Sequence, residues 1–313
     1  MNALVFPGQG SQKIGMARVM VETHPWAAAM ARRADEILGH SISSVCFTGP
    51  EESLKKTINT QPALFLTEAI LTEALRRQQI PFQAVAGHSL GEYSALYAAG
   101  VADFEDLLRL VQTRARAMET ACPTGEGAMA AILMLDRQKI AAICQEVAPI
   151  GVCVMANLNA PGQVVISGAA AAVTKAGELA KAQGAKRVVM LEVSGPFHSP
   201  LMTKARTELE QAIRDITFRT ATVPVYTNVD AAPTTDANQI KNKLLEQLTG
   251  TVRWEDAIQA MFAAGFRRFI EVGPGKVLCG LIKKIAPEAE TAQFEDPTTL
   301  AAIQTPASAA AQA

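Results

Sequence analysis

The segment Gly87-His88-Ser89-Leu90-Gly91 constrains this chain more than any other. An apolar run at residues 82–86 precedes it and reads as a strand; residues 91–99 follow and read as a helix. A serine between two such elements, flanked by glycines, marks a tight strained turn that lifts its side chain clear at the head of a sheet. The rest of the chain must then supply a sheet on which that turn can stand and helices to cover it.

The remaining pattern agrees. Leu4-Val5-Phe6 predicts a short buried strand ending at Pro7, with a glycine-rich turn, Gly8 to Gln12, behind it. Asn59-Thr60-Gln61-Pro62 predicts a helix start with proline in the first turn and a helix to about Arg77. Asp103 is expected to cap a helix running to about Glu119. Between 125 and 194 the rhythm changes: strand 129–135, helix 136–147, strands 151–157 and 163–167, helix 170–183, strand 187–193. That βαββαβ order is the ferredoxin-like split motif and predicts an inserted small subdomain. Strand–helix alternation resumes at 223–227, 254–264 and 269–272, so the expected fold class is α/β with a mostly parallel sheet. The last dozen residues, rich in Ala, Gln, Thr and Ser, predict a disordered tail at 301–313.

Composition removes several function classes. With 29 basic against 30 acidic residues, the chain offers no electrostatic footprint for nucleic acid or an anionic membrane. No apolar run approaches the roughly 20 residues that span a bilayer. The opening Met1-Asn2-Ala3-Leu4 lacks the basic region of a signal peptide. The five cysteines are odd in number and scattered, which fits free thiols in a reducing cytoplasm. No CxxC or His/Cys cluster points to a metal.

A serine nucleophile needs a base, and the chain has four histidines. His88 adjoins the serine, and neighbouring side chains at a sharp turn point apart. His24 and His40 read as surface residues. His198 remains, in the loop Ser194-Gly195-Pro196-Phe197-His198-Ser199-Pro200, where a rigid frame can present it. Ser89 and His198 alone suit a lipase, a thioesterase or a transferase equally. Arg114 bears on that choice. It falls in the middle of the apolar face formed by Phe104, Leu107, Val111 and Met118, whereas Arg116 points the other way. A guanidinium facing the interior must find an anion. Two readings stand: an internal salt bridge, or a fork for a substrate carboxylate. Gly8-Gln9-Gly10 and Gly273-Pro274-Gly275-Lys276 both lack the remaining residues of a nucleotide-phosphate loop. The first could instead offer a backbone N–H to an oxyanion.

Four segments in order, Phe6-Pro7-Gly8-Gln9-Gly10-Ser11-Gln12, Gly87-His88-Ser89-Leu90-Gly91-Glu92, Pro196-Phe197-His198 and Glu271-Val272-Gly273-Pro274-Gly275, resemble the signatures of the malonyl-CoA:acyl carrier protein transacylases, shared with the acyltransferase domains of polyketide synthases. The resemblance implies an α/β-hydrolase-like core from residues 1–124 and 195–300, with the ferredoxin-like subdomain at 125–194. It implies that Ser89 is acylated, that His198 is its base, and that Gln9 and Leu90 lend backbone N–H groups to the oxyanion hole. Arg114 would hold the malonyl carboxylate. Leu90 and Phe197 would be bulky enough to disfavour an α-methyl group. The backbone carbonyl of Gln247 would orient His198, with Asn228 nearby. No cofactor is implied; malonyl-CoA and a phosphopantetheinylated acyl carrier protein are the expected partners of a monomeric, cytoplasmic enzyme. Ala115 and Glu119 depart from the residues common in relatives, and the Glu119 charge is expected to compete for Arg114. Arg267, Arg268, Lys276, Lys283 and Lys284 form either a docking patch for the acidic carrier or an ordinary solvated basic face. A serine hydrolase, a polyketide acyltransferase, a malonate-decarboxylase subunit and a non-catalytic carrier-binding module are the alternatives.

Overall fold

The computed structural model describes residues 1–304. Strand β1 (Asn2–Phe6) is followed by helices α1 (Arg18–Thr23), α2 (Pro25–Leu38), α3 (Ile42–Thr48), α4 (Glu51–Lys55) and the long α5 (Thr57–Arg77). Strand β2 (Ala84–Gly87) leads into α6 (Gly91–Ala98) and α7 (Phe104–Thr120). Next come β3 (Gly127–Leu133), α8 (Arg137–Glu146), β4 (Cys153–Ala160), β5 (Gln163–Ala169), α9 (Ala170–Ala182) and β6 (Arg187–Met190). The chain then runs through α10 (Thr203–Ile213), β7 (Val225–Tyr226), β8 (Pro233–Thr234), α11 (Ala237–Glu246), α12 (Trp254–Ala263), β9 (Arg268–Val272), α13 (Val277–Ile285), β10 (Glu290–Phe294) and α14 (Leu300–Gln304).

Two sheets result. The larger has the order β10-β9-β1-β2-β7-β8 and is parallel except for the β7–β8 pair. Its central strand shows why an unbroken apolar run was needed: alternate residues go to opposite faces, and both faces are covered. Leu4 and Phe6 pack with Leu64, Leu71 and Val111 of α5 and α7. Ala3 and Val5 pack with Trp254, Ile258 and Leu278 of α12 and α13. Each large apolar side chain so buried contributes about 1.5–3 kcal/mol. The smaller sheet, β4-β5-β3-β6, is antiparallel throughout and is covered by α8 and α9 through Ile140, Ile143, Val173 and Ala176.

The smaller sheet is tied to the segment leading into α12 where β4 pairs with residue 252. Leu158 N–H donates to the Val252 carbonyl at 2.9 Å and Val252 N–H to that of Ala156 at 2.8 Å. Met129, Ala156 and Val165 of the small sheet join the core of the large one. The cleft between them holds the site described below.

Several local expectations change. Helix α5 starts at Thr57, so Pro62 lies inside it rather than in its first turn; the short α4 and residue 56 deliver the chain earlier than the Pro signal indicated. Asp103 stands at the N-cap of α7 but caps nothing; its carboxylate bonds Arg219 at 2.8 Å. Strand β7 is only two residues long, and helices α1 to α4, α10, α11 and α13 and strands β8 and β10 add to the expected set. The tail expected from 301 begins as helix α14, and residues 305–313 lie outside the described residues. Among the described residues no helix is long and apolar enough to cross a membrane, no group of three or more His, Cys, Asp or Glu could hold a metal ion, and all five cysteines are free thiols.

Candidate active site

The turn between β2 and α6 is tight enough that its glycines cannot be replaced. A Cβ on Gly87 would sit 1.9 Å from the Gly91 carbonyl carbon, and one on Gly91 would sit 2.0 Å from the Phe6 oxygen. Ser89 between them takes φ 53°, a left-handed conformation that costs a non-glycine residue of order 1–3 kcal/mol. Asn228, in the loop after β7, braces the turn. It accepts from Ser89 N–H at 2.8 Å and donates to the Gly87 carbonyl at 2.6 Å. Its side-chain bonds go to the turn and to Gln247; Asn228, expected beside His198 as a histidine-orienting residue, makes none to the imidazole.

His198 follows β6 and is also left-handed, with φ 57°. The Ser89 hydroxyl donates to its Nε2 at 2.7 Å, and its Nδ1 donates to the Gln247 carbonyl at 2.8 Å. A carbonyl only accepts, so Nδ1 carries the proton and Nε2 is the free base. Burial and the nearby Arg114 cation pull the imidazole down to about 3. The other histidines stay apart from this chemistry. His88 Nε2 bonds Asn159 Oδ1 at 2.8 Å; His24 bonds Thr23, and His40 bonds the Leu38 carbonyl.

Arg114 is 1% exposed, and no carboxylate touches it. Its Nη1 donates to Gln61 Oε1 at 2.7 Å; Nη2 donates to Gln247 Oε1 at 2.9 Å and to Ser89 Oγ at 3.0 Å. Its Nε–H has no partner. The Tyr93 ring lies 5.3 Å from the guanidinium carbon, a cation–π contact. Glu119, expected to compete for this cation, instead accepts from Ile58 N–H at 3.0 Å near the start of α5. Of the two readings of Arg114, the internal salt bridge is absent among the described residues.

These groups open on one cavity of about 170 Å³. Met118, Met129, Val165, Leu191, Val193 and Phe197 supply an apolar wall. Gln9 and Leu90 also line it, and among the described residues neither backbone N–H has an acceptor in the chain. Two free N–H groups beside a serine can receive a developing oxyanion. The Gln9 side chain is tied back to Thr57 Oγ1 at 3.1 Å.

Three residues of this network were not singled out from sequence: Gln61, Asn159 and, as a structural participant, Glu92. Glu92 is fully buried; its Oε2 accepts from Gln247 Nε2 at 2.6 Å, and burial raises its carboxyl to about 7. The only sequence signal was polarity inside helices or strands that are otherwise apolar. The Glu271 signature proves structural: its carboxylate accepts from Leu278 and Cys279 N–H and caps α13. Of the five basic residues beside it, Arg267, Lys276, Lys283 and Lys284 are exposed. Arg268 is not; it is 5% exposed, paired with Glu290 and bonded to the Ile303 carbonyl, because it points inward from β9.

A serine hydroxyl on an imidazole, two free backbone N–H groups and a buried guanidinium facing an apolar pocket are the parts of an acyl-transfer catalyst. The chain belongs to the acyl transferase domain family, whose match spans residues 3–299. It is 47% identical to the malonyl CoA-acyl carrier protein transacylase of Bacillus subtilis strain 168, over 97% of this chain and 96% of that protein. Identity to the Escherichia coli K12 protein of the same name is 44%, over 96% of this chain and 97% of that protein. Among solved structures, an acyl carrier protein S-malonyltransferase from Vibrio cholerae superposes with a TM-score of 0.94 at 41% identity, covering 96% of this chain and 99% of the other. A malonyl-transacylase in complex with a type II polyketide synthase acyl carrier protein superposes with a TM-score of 0.93 at 39% identity, covering 96% and 98%.

Proposed function

We propose that this protein moves a malonyl group from malonyl-CoA to the phosphopantetheine thiol of an acyl carrier protein, through an ester on Ser89, and so supplies extender units for fatty-acid synthesis. The observation that carries this reading is Arg114: a buried cation, held by amide oxygens rather than a carboxylate, within hydrogen-bond reach of the serine. A simple ester hydrolase has no use for it. A dicarboxylate thioester does.

Neutral His198 takes the Ser89 proton as the oxygen attacks the thioester carbonyl. The Gln9 and Leu90 N–H groups hold the oxyanion, and collapse expels CoA as its thiol, protonated by the imidazolium. The carrier thiol gives its proton to His198, attacks the malonyl-serine and restores the hydroxyl. Arg114 holds the acyl tail in an attack-ready pose throughout. The Gln247 carbonyl fixes the imidazole tautomer, and Phe197 and Leu90 limit bulk beside the α-carbon. The reaction as written needs no cofactor or metal.

The surrounding assignments follow the same reading. The large sheet, from residues 1–124 and 195–300, is taken as an α/β-hydrolase-like catalytic part and 125–194 as a ferredoxin-like subdomain; the order β4-β5-β3-β6 of that segment supports it. The enzyme is taken as cytoplasmic and monomeric. Exposed Lys276, Lys283 and Lys284 form the proposed docking face for the acidic carrier. Intact-mass measurement after mixing with malonyl-CoA tests the central step: the expected result is one malonyl adduct that Ser89→Ala abolishes. Turnover to free malonate faster than transfer to a carrier would reject the transferase reading.

A further inference from the structure

Glu92, the last residue of the Gly87–Glu92 signature, has no task in the chemistry above. It occupies the first turn of α6 with no exposed surface. Its Oε2 accepts from Gln247 Nε2, while Oε1 has no partner. The Gln247 amide is the junction: Nε2 also donates to the Ser89 carbonyl at 2.9 Å, and Oε1 accepts from Arg114.

An amide can face either way, and here its surroundings decide. Glu92 Oε2 and the Ser89 carbonyl are both acceptors, so both require the NH2 end. That leaves Oε1 for the guanidinium. Turned over, the amide would oppose donor to donor at Arg114 and acceptor to acceptor at Glu92. We propose that Glu92 is a positioning residue for the acyl carboxylate: through the Gln247 amide it fixes Arg114 over the serine while staying out of contact with the guanidinium. The indirect link has a physical purpose. A carboxylate placed directly against Arg114 would occupy the N–H groups that the substrate carboxylate must take. An amide between them steadies the cation and leaves Nε–H and part of Nη1 unspent. The arrangement survives a change of charge on Glu92, because a protonated carboxyl still keeps one oxygen that accepts from Gln247 Nε2.

The inference rests on Arg114 as the carboxylate clamp, and the experiment separates the two. Acylation kcat/KM is measured with malonyl-CoA and acetyl-CoA for the wild type, Glu92→Met, Glu92→Gln, Gln247→Met, Glu92→Met/Gln247→Met and Arg114→Ala. Losing the acceptor behind a charged hydrogen bond should lower the malonyl-to-acetyl ratio about tenfold or more in Glu92→Met. Glu92→Gln, which keeps an acceptor oxygen toward Gln247, should stay within about threefold of wild type. The double variant should match Gln247→Met alone, because Glu92 acts only through that amide. An unchanged ratio in folded Glu92→Met, or Glu92→Gln as impaired as Glu92→Met, would overturn the proposal. If Glu92→Met does not fold, Glu92→Gln is set against Gln247→Met, and equal impairment of those two overturns it. A wild type without malonyl preference, or an unchanged Arg114→Ala, would instead defeat the clamp reading itself.

Discussion

Ser89 Oγ accepts a hydrogen bond from Arg114 at 3.0 Å. The cation assigned to the acyl tail therefore also touches the atom assigned to attack. Positive charge at that distance favours the alkoxide over the hydroxyl, so under the proposed function one side chain would serve both selectivity and activation.

Arg114→Ala should cost malonyl acylation roughly a hundredfold or more in kcat/KM, the scale of losing one partner of a buried charge pair. Acylation by acetyl-CoA should fall far less, through lost activation of Ser89 alone. Rapid-mixing mass spectrometry with both thioesters reads the two rates. Equal loss of both would remove Arg114 from carboxylate recognition.

The pH profile follows from His198. The base works only when neutral, and its pKa is depressed from 6.5 to about 3 by burial and by Arg114. The neutral form then dominates throughout the range above about pH 4, and activity is lost only as pH falls through the depressed value. Acylation kcat/KM, which reports the free enzyme, should be flat from about pH 5 to 8. A half-maximal rate near 6.5 would contradict the burial of this imidazole.

Gly87→Ala should prevent the turn from closing. The added methyl would overlap the Gly91 backbone, and backbone has no rotamer by which to yield. A loss of about 3 kcal/mol or more in urea unfolding is expected, with acylation abolished. Near-native stability would mean that the strand–turn–helix geometry tolerates more than its contacts allow.

Reversing Lys283 and Lys284 to glutamate should raise KM for the carrier protein several-fold, and more so at low salt, while leaving acylation by malonyl-CoA alone. Both side chains are exposed, and their hydrogen bonds go to the Pro287 carbonyl and to Gln163, so the fold should not notice. Unchanged carrier kinetics would move the docking face elsewhere.

What could be read in advance depended on how local each signal was. The turn at Ser89 was legible because its glycines answer to backbone overlap within a few residues and to one neighbouring strand. Arg114 was legible as a misfit on an apolar helix face. Its partners were not: Gln61 lies 53 positions away in the chain and Gln247 lies 133 away, and a polar residue on a helix says nothing of which cavity it will meet. Asp103 misled for a related reason, since capping competes with any arginine the fold brings near, here Arg219. Arg268 read as surface because it adjoins exposed Arg267, yet Arg267 stands before β9 and Arg268 is the first residue of a strand buried along its whole length.

His198 leans on a peptide oxygen where many serine enzymes place an acid. A neutral acceptor sets the ring's direction but does little to stabilise it once protonated. Drawing a proton from water, a very weak acid, is then a poor proposition, whereas a thiol with a pKa near 8.5 surrenders its own far more readily. Under the proposed function the loaded ester would outlive the passing solvent and wait for the pantetheine arm, its patience toward water arising from a missing charge.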